Sequence, residues 1–66
     1  MTKYIISSGT SVVSEILETE QITAVRVTNE ADKAISFDTM GEAMRYAVKV
    51  NKILAGANYR AMAIEV

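Results

Sequence analysis

Aliphatic and polar residues alternate in short runs from Tyr4 to Thr28, and near Thr39 the apolar period lengthens from two residues to between three and four. Tyr4 to Ser8 is a β-rich run that stops at Gly9-Thr10, and Ser11 to Leu17 is another, so the pair is predicted to form a hairpin with Gly9 at its turn. The polar stretch Glu18-Thr19-Glu20-Gln21 suits a turn. Ile22 to Thr28 then alternates, with Val25 and Val27 on one face and Ala24, Arg26 and Thr28 on the other. Three antiparallel strands in sequence order follow from this pattern.

Asn29 to Lys33 has the composition of a turn or a single helical turn, with Asn29 placed to cap its free N–H groups. The apolar stretch Ala34-Ile35-Ser36-Phe37 predicts a further short strand, and Phe37, the one Phe of the chain, is expected to anchor the core where the helix begins. Thr39 and Glu42 stand in the S/T-x-x-E relation of a capping box. From there a helix is predicted to about Ala55, with Gly56 in the left-handed conformation that stops it and Asn58 in the turn beyond.

At 100° per residue Met40, Ala43, Ala47, Val50 and Leu54 share one helix face. Met44 and Val48 widen it on one side, Tyr46 and Ile53 on the other, giving an apolar arc broader than one sheet needs. Tyr59 to Val66 alternates again, with Met62, Ile64 and Val66 on one side and Ala61 and Ala63 on the other. The fold class predicted is α+β: an antiparallel β-meander with one amphipathic helix packed on one face and a C-terminal strand, in a single domain over residues 1–66.

Half of the 66 residues are hydrophobic, and with three Tyr and one Phe the core must be aliphatic. Cys and His are both absent, which removes disulfide and zinc staples together with the strong soft nucleophile and the usual proton shuttle. No serine of the set 7, 8, 11, 14 and 36 sits in a G-x-S-x-G elbow, and all are expected on solvent-facing strand positions. Glu15, Glu18 and Glu20 lack the glycine and alternating oxygen ligands of a calcium loop and read as a solvated acidic turn. The three glycines are isolated, so there is no phosphate loop or dinucleotide fingerprint. The expectation is a non-enzyme with no catalytic residues, cofactor or metal.

Net charge is −1, but residues 1–44 carry three cations against seven acids and residues 45–66 four cations against one acid. Arg45, Lys49 and Lys52 fall on one exposed helical stripe, and together with Arg60 they form the candidate partner-binding set. Cations in the second half of a helix also suit its dipole, so a solvated face is the competing reading. No apolar run is long enough for a signal peptide core or a membrane span, which with the lack of cysteine predicts a cytoplasmic protein with no membrane partner.

The residues Tyr4-Ile5-Ile6-Ser7-Ser8, the step from Thr28-Asn29-Glu30-Ala31-Asp32-Lys33 through Ala34-Ile35-Ser36-Phe37, and Glu42-Ala43 opening a helix carry a resemblance. Over most of its length the chain resembles short uncharacterised proteins of phages and prophages of Gram-positive bacteria. The resemblance implies a sheet-plus-helix fold and a phage-type origin, and it supplies no activity and no site residues. The functional expectation is a small protein-binding or regulatory accessory protein, a homo-oligomer joined through the open sheet face or a helix flank. The alternative is a nucleic-acid-associated protein using the basic stripe.

Overall fold

A computed structural model describes residues 1–18 and 23–66. Gly9 takes φ +99°, where a side chain would be strained, and allows the reversal in which the Ser8 N–H donates to the Ser11 carbonyl at 2.9 Å. On either side lie strands β1 (Thr2–Ser7) and β2 (Val12–Glu18), followed by β3 (Thr23–Thr28), helix α1 (Met40–Ile53) and β4 (Arg60–Glu65). The sheet order is β3-β2-β1-β4, antiparallel throughout, so the last strand returns to the free side of the first. The predicted meander, helix and closing strand are all present. Residues 19–21 of the expected turn and Ile22 of the third strand lie outside the described residues.

The hairpin is paired only at its turn, where Ser7 opposes Val12. Beyond it the strands part, and the stretch predicted as a further strand fills the opening. The Ile35 N–H donates to the Val13 carbonyl at 3.0 Å, and Phe37 exchanges two backbone hydrogen bonds with Tyr4 at 2.8 and 3.0 Å. These bonds supply partners that the splayed strands would otherwise lack. The stretch is therefore an isolated bridge rather than a strand. Asn29 does not cap the 3-10 turn at Ala31–Lys33: Glu30 holds the capping position without a side-chain bond, and its N–H is taken by the Thr28 hydroxyl.

A bulge in β2 decides which residues enter the core. Val13 opposes Val27 and Ile16 opposes Val25, with Ser14 as the extra residue between them, its hydroxyl donating to the Arg26 carbonyl at 3.3 Å. Val13 and Ile16 are three apart and would face opposite ways in a regular strand; the bulge turns both toward α1. They join Ile6, Phe37, Ala43, Ala47, Val50 and Tyr59 in one cluster, against which Tyr4, Val25, Tyr46 and Ala61 pack. Ala43 and Ala47 at the centre of the helix face let the backbone lie close to the sheet, as their small side chains predict.

The Thr39 hydroxyl accepts the Glu42 N–H at 3.2 Å, the hydroxyl half of the expected capping box. The helix ends at Ile53, slightly before the predicted boundary, and Gly56 takes φ +88° as expected. Thr39→Ala leaves the Glu42 donor to water and is expected to lower unfolding free energy by about 1 kcal/mol. Chemical denaturation checks this, an unchanged midpoint being the contrary result.

Candidate functional site

Hydrogen-bond parity identifies the open side of β4. Met1 and Val66 exchange both backbone bonds, Met1 N to Val66 O at 3.0 Å and Val66 N to Met1 O at 2.8 Å, which marks a hydrogen-bonded pair. Pairing then runs in register from Thr2 opposite Glu65 to Ser7 opposite Arg60. Alternation makes Ile64, Met62 and Arg60 the residues of β4 bonded to β1, and it turns the N–H and C=O of Ala61, Ala63 and Glu65 away from the sheet. Two independent contacts fit this parity. The groups of Tyr4 that β4 does not use go to Phe37, and those of Tyr59 go to the Asn51 side chain, each bond at 2.9 Å.

Asn51 thus imitates a neighbouring strand at Tyr59, and beyond that point no strand among the described residues pairs with the edge. Beside it runs a groove of about 380 Å³ between α1 and β4, walled by Met40, Met44 and Val48 on the helix and floored by Ala47 and Ala61, with Arg60 its single charged lining residue. Met44 and Val48 are each 56% exposed. The apolar arc noted in the sequence is therefore divided: its Tyr46 side packs on the core, and its Met44 side is left bare above an unpaired strand edge. On the other face of the sheet Ile5 and Val12 are buried while Leu17 and Met62 stay half exposed, so that face too is partly apolar.

The structure separates the four basic candidates. Lys49 lies toward β2, with Nζ 2.7 Å from Glu18 Oε1 and 5.0 Å from the Tyr46 ring centroid. The Lys49 hydrogen bond, then the Tyr46 hydroxyl and the field of Arg45, hold the Glu18 carboxyl below the usual range. Asp38 is lowered likewise by its hydrogen bond with Lys3. Arg45, Lys52 and Arg60 make no ion pair among the described residues. Arg45 and Lys52 sit on the helix crest toward the groove side, and Arg60 lines the groove itself.

The acidic candidates are not brought together as ligands. Glu15 faces Arg26 across the sheet, Glu18 is committed to Lys49, and Glu20 lies outside the described residues; no metal-binding group of three acids occurs among those described. Ser7 departs from the solvent-facing expectation, being buried with its hydroxyl accepting the Gly9 N–H at 3.0 Å. That bond fixes the hairpin turn. Asn51 escaped the sequence reading, although an Asn of modest helix propensity inside the apolar arc, between Met40 and Met44 around the helix, was its available signal. Among the described residues no helix is long and apolar enough to cross a membrane. No protein-family model, no curated protein and no solved structure matches the chain.

Proposed function

We propose that this chain is a small non-enzymatic protein-binding or regulatory accessory protein that works in the cytoplasm as a homo-oligomer, of the phage or prophage type its sequence resembles. The observation that supports it is the apolar groove beside the open edge of β4. Proteins usually blunt such edges with Lys, Pro, bulges or a covering loop. Here Ala61, Met62, Ala63 and Ile64 form a regular apolar edge with none of those devices. The exposed surface points the same way. Met44, Val48 and Met62 are each about half exposed.

Sedimentation equilibrium at micromolar concentration tests the reading, with a mass of at least two chains expected and a one-chain mass overturning it. A second reading, nucleic-acid association, is favoured by Arg45, Lys52 and Arg60, which make no ion pair among the described residues. It requires binding to DNA or RNA that weakens as salt rises and that is lost when the three are replaced by Gln. Failure to bind either polymer at low salt removes it.

A further inference from the structure

We infer that the edge of β4 is closed by a second copy of this chain, β4 against β4 across a two-fold axis normal to the sheet, with Ala63 opposite the partner's Ala63. This rests on the homo-oligomer reading and names its surface and register. In an antiparallel pair the hydrogen-bonded positions must be residues whose groups face outward on both strands. On β4 these are Ala61, Ala63 and Glu65. Centring the axis on Ala63 places Ala61 opposite the partner's Glu65 and engages all six outward groups of each strand. Centring it on Met62 would set Glu65 against the partner's Tyr59, whose N–H and C=O already belong to Asn51. Asn51 therefore fixes the register by occupying the first position of the edge.

The side chains of this register match. Met62 comes opposite the partner's Ile64 and Ile64 opposite the partner's Met62, both at non-hydrogen-bonded positions where side chains lie closest. On the other face Ala61 and Ala63 leave room for the two helices. Since Asn51 reaches Tyr59 while Ala47 lies over Ala61, α1 runs antiparallel to β4, and the two-fold axis sets the two copies of α1 antiparallel on one side of a continuous sheet. The bare flank of Met40, Met44 and Val48 then faces its own copy.

With Asn51 level with Tyr59 and Ala47 with Ala61, four helix residues span about two strand residues, so an axis at Ala63 lies level with Ala43 and Met44 of each helix comes beside its own copy near the axis. A stable interface removes about 800 Å² from each partner, more than a strand edge about 20 Å long supplies, and the helix flank provides the remainder.

The native chain has no cysteine, so single replacements report on copies alone. Paired Ala63 Cα atoms would be about 5.5 Å apart, within disulfide reach. Under mild oxidation at micromolar concentration Ala63→Cys is expected to form a covalent dimer at least about tenfold faster than Ala61→Cys or Met62→Cys, whose copies lie too far apart in this register. Ala63→Pro, which removes an N–H that only a partner uses, is expected to sediment as one chain with an unchanged circular dichroism spectrum. If the native protein is dimeric but Ala63→Cys stays uncross-linked, or Met62→Cys cross-links faster, this interface is wrong while the homo-oligomer reading stands. A one-chain mass for the native protein overturns both and leaves the edge to a foreign strand.

Discussion

Phe37→Ala is expected to lower the unfolding free energy by about 3–5 kcal/mol. The ring is buried and stacks on Tyr46 with centroids 5.3 Å apart and planes 20° from parallel. Its backbone also bridges the helix connection to β1 at Tyr4. Truncation therefore empties the core at the point where the splayed hairpin is filled. Domains of this length have total stabilities of roughly 3–10 kcal/mol, so the variant should be largely unfolded in mild urea. Phe37→Leu keeps most of the volume and should lose less than half as much. A denaturation midpoint for Phe37→Ala equal to that of the native chain would place the ring outside the core.

The elements legible in the sequence are those specified by neighbours in the chain. Gly9 and Gly56 both take the positive φ their positions demand, Thr39 holds the Glu42 donor, and Ala43, Ala47 and Val50 are buried together. What escaped depends on contacts distant in sequence. Nothing local to Val12-Val13-Ser14-Glu15-Ile16 announces a bulge, because the extra residue is defined by its partner strand. The Ile35 to Phe37 stretch looks like a strand and fails to become one because the gap between β1 and β2 gives it only three backbone hydrogen bonds, at Ile35 and Phe37. Asn29 has the chemistry of a cap, yet the Thr28 hydroxyl reaches the Glu30 N–H instead.

The candidate site was legible in composition and not in geometry. The excess apolar arc of the helix is visible in Met44 and Val48, but that it overhangs an unpaired edge follows only from β4 pairing with β1. The basic stripe likewise reads as one unit until Glu18, 31 residues before Lys49, withdraws that cation from the set. Such pairings are long-range choices of the sheet, and a helical wheel carries no information about them.

Asn51→Ala is expected to cost about 2–4 kcal/mol, a large effect for a half-buried polar residue on a helix. Its carboxamide donates to the Tyr59 carbonyl and accepts the Tyr59 N–H, so one substitution strands two backbone groups beside the buried Tyr59 ring. Each hydrogen bond contributes about 0.5–1.5 kcal/mol, and an unsatisfied partner adds to the loss where water is excluded. Alanine is the better helix former, by well under 1 kcal/mol, which offsets only part of this. Asn51→Asp separates the hydrogen bonds from side-chain volume: its carboxylate still accepts the Tyr59 N–H but confronts the Tyr59 carbonyl with a second acceptor, so it should remain destabilised. Chemical denaturation of the two variants measures this, and an Asn51→Asp as stable as the native chain would show that the donor half of the clamp carries no energy. The same change bears on assembly. With the clamp gone, the outward groups of Tyr59 are released and the Met62-centred register becomes available, so Met62→Cys in the Asn51→Ala background should cross-link faster than Met62→Cys alone. Equal rates would mean that Asn51 holds the loop to the helix without selecting the register of the edge.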